Sequence, residues 1–314
     1  MTAFLKPRAP SPRWRRRGTV LALLAPWLIG FTVFFAYPMA STVYYSFHRF
    51  DLFTAEFIGL DNYWYFLGDE RAHLAFRNTL WLVAVLVPAQ MVFGLGVAQL
   101  VVRLKAGAGF FRTVFFLPSL VPTVAGTVGF VFLLNPATGP VNGLLSAAGI
   151  EGPDWYGDPA WAKPGLVLLA LWGIGNLMVI FMAALLDVPR HLYEAAAIDG
   201  AGALRQFRSI TLPTISPVLM FSAVTGVIQA MQYFTQAWIT SRVAAGATDS
   251  PGSSYTPGYP DGSLLTFPQW LFQTAFRDFS MGYASVLALI MFVISMLFIL
   301  ILLRRFRAFG DEGA

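Results

Sequence analysis

Six apolar runs, at about residues 18–46, 78–102, 113–135, 165–186, 214–240 and 279–303, carry no Asp, Glu, Lys or Arg. Each matches the roughly 20 residues that a helix needs to cross the hydrocarbon core of a bilayer. In lipid the backbone must satisfy its own hydrogen bonds, so runs of this length predict helices rather than strands of an open sheet. The alternating pattern of a membrane barrel is missing. Only 12% of residues are charged, about half of what a soluble domain carries. The expected fold is all-α, a polytopic membrane protein with six transmembrane helices: a basic tail over 1–17, a six-helix domain over 18–304 and a short tail over 305–314.

Charge placement orients the bundle. With the N-terminus taken as cytoplasmic, the inner segments hold fifteen Lys and Arg residues and the outer ones six. The positive-inside bias then puts both termini in the cytoplasm. These cations cap apolar runs instead of alternating with stacking aromatics, so the net charge of +5 gives no reason to expect nucleic acid as a partner. The basic cluster before Gly18 looks like a secretory signal, but the apolar run behind it continues past Phe35 toward Tyr45 and is read as an uncleaved first span. Outside, Trp155, Tyr156 and Trp161 fit either an interfacial belt or a surface for an external partner. The Gly/Ser/Pro-rich stretch within 241–268 is expected to be an exposed loop.

The usual catalytic groupings are missing. The chain has no Cys, His48, His73 and His191 lie far apart, and no Lys is followed by the Ser or Thr of a phosphate-binding loop. No metal or cofactor is expected on this chain, and it is not read as an enzyme. The uncharged spans also hold no ionisable relay for a proton or sodium gradient. Energy for uphill movement is expected to enter from outside this chain, and any nucleotide would bind a partner.

The longest inner loop, 187–213, is where such a partner can act. Pro189 suits the first turn of a helix, the Leu-Tyr-Glu-Ala-Ala-Ala run at 192–197 is a strong helix former, and Gly200 is placed to end it in the left-handed conformation. A second short helix is expected to set Leu204, Phe207 and Thr211 on one face, with Arg205 and Arg208 elsewhere and Pro213 and Pro217 marking the return to the membrane. Periodicity leaves two readings open: a projection that fits a groove in a soluble protein, or an amphipathic loop lying on the membrane.

Glu194-Ala195-Ala196, then Asp199-Gly200-Ala201, then Leu212-Pro213 with Ile215 and Pro217, resembles at this spacing the EAA loop of the inner-membrane components of bacterial ABC importers. Gly-Leu-Asp-Asn-Tyr at 59–63, Asn78-Thr79, Phe111-Arg112 leading to Pro118, Gly139-Pro140-Val141-Asn142 and the segment from Phe276 to Ala284 are similar to the sugar permeases of that family, the maltose and glycerol-phosphate type. The resemblance implies a multi-pass protein of the bacterial cell membrane. It implies that Glu194, Ala195, Ala196, Asp199, Gly200, Ala201, Leu212 and Pro213 belong to a coupling loop docked on an ATPase subunit, one of a dimer that binds ATP with its Mg. It further implies a second permease as a heterodimeric partner, and solute delivered by an extracytoplasmic binding protein. Where such permeases have a Gly-Gly-Pro turn after the fifth span, this chain runs Ala244-Ala245-Gly246 into a longer polar loop, so the external gate is not carried over. The alternative is a stand-alone secondary transporter or channel for a small polar solute.

Gln229, Gln232, Tyr233 and Gln236 in the fifth run are spaced i, i+3, i+4 and i+7, which predicts one helix face. Trp172 and Asn176 stand one turn apart in the fourth. Uncharged amides and a phenol donate and accept hydrogen bonds without a counter-ion, which suits a neutral polyhydroxylated solute. The same residues equally suit a role in knitting helices together.

Overall fold

A computed structural model of the chain describes residues 12–104, 106–246 and 257–311, with side chains over 19–104, 106–246 and 257–304. The side chains of the two expected tails thus lie outside the described residues, as does the 247–256 part of the external stretch.

The first run is α1 (Pro12–Phe31), a π turn over Thr32–Ala36 and α2 (Tyr37–Tyr45). Pro38 has no N–H to offer the carbonyl of Phe34, and the widened turn absorbs that mismatch. An antiparallel hairpin of β1 (His48–Phe50) and β2 (Ala55–Phe57) follows, then α3 (Asp61–Gly68) and α4 (Glu70–Arg103). α4 is the mast of the fold: its 34 residues span about 51 Å at 1.5 Å per residue. It contributes to each of three buried apolar clusters. Asp69 fixes its start, with Oδ1 accepting the N–H groups of Arg71 and Ala72 at 2.9 and 3.0 Å. Asp69 Oδ2 accepts from Trp270 Nε1 at 2.8 Å and from the Tyr283 hydroxyl at 2.6 Å, so one carboxylate also ties the mast to the last two helices.

The third run is not one helix. It is α5 (Ala108–Phe116), a 3-10 turn over Leu117–Leu120 and α6 (Thr123–Leu133), bent by 105°. Val121 precedes Pro122, whose ring disfavours the helical region for it, and it sits at φ −73°, ψ 131°. After α7 (Pro140–Ala147), the fourth run divides into α8 (Pro159–Trp172) and α9 (Gly175–Asp187), bent by 53° around Gly173. Gly175 is needed there, because a Cβ would stand 2.7 Å from the Phe115 carbonyl oxygen and the Phe116 Cα. Four helical stretches among the described residues are long and apolar enough to cross a membrane, or six if each bent pair forms one span. The expectation of uninterrupted helices is corrected at both bent pairs.

The inner loop holds α10 (Arg190–Ile198) and α11 (Ala203–Gln206), and a π turn over Phe207–Thr211 leads into α12 (Leu212–Met231). The fifth run also breaks: α12 stops before Gln232, and α13 (Thr235–Ala244) restarts beyond it. Neither Gly nor Pro marks this break. It accommodates the burial of Tyr233 and Ala237 in the cluster formed with α4, α6 and α8. α14 (Phe267–Phe276) and α15 (Met281–Asp311) complete the chain.

Two outer segments differ from expectation. Residues 257–266 are largely buried, with Leu264 and Leu265 inside the fold and Asn78 Nδ2 donating to the carbonyls of Gly262 and Leu265 at 2.8 and 2.9 Å. An exposed loop is therefore the wrong description of that part. Tyr156 is buried against Gly165, and Trp155 Nε1 donates to Asn142 Oδ1 at 2.8 Å. These two aromatics brace their own loop, while Trp161 remains exposed.

Candidate functional site

α4, α6, the α8–α9 bend and the α12–α13 break enclose an open cavity of about 470 Å³. Its wall includes all six residues singled out from the sequence: Trp172, Asn176, Gln229, Gln232, Tyr233 and Gln236. Trp172 ends α8 and Asn176 opens α9, so the bend turns both toward the same space. The expected single face in the fifth run is corrected, since Gln229 lies on α12, Gln232 and Tyr233 lie in the break, and Gln236 lies on α13. The four share a cavity, not one helix.

Gln90 on α4 and Ser119 in the 3-10 turn add to the polar wall. Sequence reasoning missed Gln90, although an amide inside an apolar run was a readable signal. Among the described residues no charged side chain lines the cavity. Among the described residues, the side chains of Gln90, Asn176, Gln229, Gln232 and Gln236 make no hydrogen bond to protein. The Tyr233 hydroxyl is buried and likewise without a protein partner. Within this chain the arrangement ties no helices together through these side chains. It leaves a set of uncharged donors and acceptors facing a space large enough for a small solute.

At the inner end, α10 closes in a complete left-handed cap. Gly200 has φ +76°, its N–H bonds the Ala197 carbonyl at 3.1 Å, and the Ala201 N–H bonds the Ala196 carbonyl at 2.8 Å. This is the paired bonding of a Schellman motif, and glycine adopts the required conformation without steric cost. A 2.8 Å bond between the Tyr193 hydroxyl and Thr211 Oγ1 ties α10 to the π turn, making the loop one compact body. Glu194, Ala195, Asp199 and Gly200 are exposed, and Ala196, Ala201 and Leu212 are half-buried.

The expected apolar face of the second short helix is corrected. Thr211 is buried and Phe207 half-buried, but Leu204 is exposed and shares the outer surface with Ile198, which is 87% exposed. The two prolines do not interrupt the return to the membrane either. Pro213 stands in the first turn of α12 and the helix continues through Pro217. The π turn precedes Pro213 because its ring offers no N–H to the Ser209 carbonyl.

Apolar rods long enough to cross a bilayer, an uncharged polar cavity among them and a rigid helical projection at one end define a membrane transport component. The chain belongs to the family described as binding-protein-dependent transport system inner membrane component, whose pattern matches residues 90–308. It is 37% identical over 289 residues to a probable ABC transporter permease protein of Bacillus subtilis, covering 90% of this chain and 88% of the relative. It is 31% identical over 306 residues to the sulfoquinovosyl glycerol transport system permease protein of Agrobacterium fabrum, covering 94% of each. In fold it is similar to a chain of a bacterial alginate ABC transporter solved with an alginate pentasaccharide-bound periplasmic protein, at a TM-score of 0.74, 20% identity and coverage of 94% and 96%. It is thus a multi-pass permease component of the bacterial plasma membrane.

Proposed function

We propose that this chain forms one half of the translocation path of an ATP-driven importer for a sugar or related polyol. In this reading each bent pair is one span, giving six, and both termini face the cytoplasm. A different permease supplies the other wall, a binding protein delivers solute outside, and of the two ATPase subunits inside one receives the loop at 187–213. The observation that carries the reading is the set of amides around the cavity, all free of protein partners and none next to a charge.

The chemistry follows from that set. Hydroxyl groups of a neutral saccharide donate and accept, as amides do, and each satisfied bond is worth about 0.5–1.5 kcal/mol. Trp172 offers a ring face for the apolar side of a sugar. The relatives named for sugar-derived solutes support the same class. ATP binding would close the ATPase pair, displace the docked loop and carry the attached helices between two packings.

The experiment is uptake by the complete transporter reconstituted in proteoliposomes with its binding protein and internal ATP. Replacing Gln229 and Gln236 together with Ala is expected to raise KM for solute while leaving ATPase assembly intact. Accumulation by this chain alone, driven by an ion gradient with no ATPase present, would overturn the reading.

A further inference from the structure

A second cavity, of about 360 Å³, lies at the root of the loop, between the ends of α4 and α9 on one side and α10 with the π turn on the other. Arg103, the last residue of α4, and Arg190, the first of α10, both line it, as do Gln99 and Gln206. Both arginines are exposed. Among the described residues the one ion pair is Arg49–Glu56 on the hairpin, so no carboxylate neutralises either guanidinium. Asp187 and Glu194, the carboxylates nearest in sequence, do not line the cavity. The α4–α9 side of the wall is apolar at Val102, Leu185, Leu186 and Val188, while on the loop side Tyr193 and Thr211 carry hydroxyls that bond each other beside Phe207.

A basic mouth over an apolar wall, at the end of a membrane-crossing helix, matches an amphiphile and not a sugar. Guanidinium groups pair phosphate oxygens in a fixed fork, and Arg103 ends a helix that is long and apolar enough to cross a membrane. We infer that this cavity binds the phosphate of an anionic phospholipid, with the headgroup between Arg103 and Arg190 and an acyl chain along the apolar wall. Because α10 and the π turn form one side, a bound lipid braces the loop against α4 and α9. The inference rests on the reading of 187–213 as an inner loop beside the membrane surface. A free phosphate would use only the basic half of the site.

The test is native mass spectrometry of the complete transporter in detergent, titrated with phosphatidylglycerol or phosphatidylcholine. The native protein is expected to retain phosphatidylglycerol preferentially. The R103Q/R190Q double variant should lose about twenty-fivefold in that affinity, from about fivefold for each arginine close to an anionic surface. Arg205 and Arg208 line a separate hollow, so the R205Q/R208Q variant should keep native retention and serves as the control for both folding and diffuse charge. Equal retention of the two lipids, or an equal loss in both double variants, overturns the site. If inorganic phosphate alone binds the native protein and displaces the lipid, and R103Q/R190Q binds neither, the phosphate site stands with a soluble anion as its source. Lipid counting requires neither ATP nor uptake, so a failure of the coupling role leaves this result unchanged.

Discussion

Gly200 offers the sharpest test of how the loop works, because its neighbourhood separates backbone conformation from bulk. A Cβ added there meets no heavy atom within 4 Å, so substitution costs nothing in packing within this chain. What it costs is the left-handed backbone at φ +76°, about 1–2 kcal/mol for an ordinary L-residue. That shifts the balance between the capped and uncapped loop by about five- to thirtyfold. Asn tolerates the conformation better than Ala, and β-branched Val worst of all. The expected order of solute imported per ATP hydrolysed, measured in proteoliposomes, is therefore Gly, then Gly200→Asn, then Gly200→Ala, then Gly200→Val. If bulk against a docking partner were decisive, Ala would outperform the larger Asn. An Ala variant better coupled than Asn, or a Val variant coupled like the native protein, refutes the argument from the cap.

Other predictions concern the frame and the cavity wall. Single Gln229→Ala and Gln236→Ala changes should each raise KM for uptake about two- to twelvefold, from the loss of one hydrogen bond of about 0.5–1.5 kcal/mol; unchanged KM in both would return these amides to structural duty. Asp69→Ala removes the cap of α4 and the acceptor for Trp270 and Tyr283, at about 2–4 kcal/mol in all, and should lower the thermal midpoint of the purified protein by several degrees. Gly175→Ala forces a methyl against the backbone of Phe115 and Phe116, an overpacking cost of about 1–3 kcal/mol, so its yield of folded protein should fall below that of Gly129→Ala, where space is open. Asp51 is held below its ordinary pKa first by the backbone N–H of Thr54 and then by that of Phe53. A depressed carboxylate keeps its contribution above the unfolded value of about 3.9 and loses it as pH falls through the lower folded value. A label on Cys at position 53, in a chain with no other Cys, should thus report an ordered hairpin down to about pH 4, and a transition centred above pH 5 would contradict this.

Length and polarity carried most of the fold because burying a backbone in lipid leaves few solutions. The loop was legible for a local reason: a proline start, an alanine-rich run and a glycine stop act over a single turn each, and Gly200 takes the conformation expected of it. The breaks in the spans were readable only in part. Val121-Pro122 signals its 105° bend in the dipeptide itself. The interruption at Gln232–Phe234 has no local signature, since it follows from where Tyr233 and Ala237 find buried neighbours. The polar residues of the fifth run share a cavity where their spacing predicted one helix face, and Gln90 was missed because no other polar residue of that cavity lies on its helix. Residues 257–266 read as loop from composition, yet Asn78 and Thr79, far away in sequence, supply the hydrogen bonds that fold them inward.

The same geometry links the two ends of the molecule. From Ala203 to Met231 the chain is one apolar helical stretch of 29 residues, about 43 Å long at 1.5 Å per residue. It begins in the loop and ends at the cavity with Gln229 in its last turn. From the other end of the loop, Val188 and Pro189 form a short extended joint to α9, whose first turn carries Asn176. A displacement of the loop therefore moves Gln229 and Asn176 together. Gln236 stays on α13, which packs on α6 beyond the break. Under the proposed function, bonds from Gln229 and Gln236 to one solute would not all survive that relative movement, since hydrogen bonds weaken steeply outside a few tenths of an ångström and below about 120°. A helix continuous through residue 236 would carry all four polar groups as a unit and leave affinity unchanged by motion. Under the proposed function, the break at Gln232 lets a push at the inner face alter how tightly the cavity holds its solute.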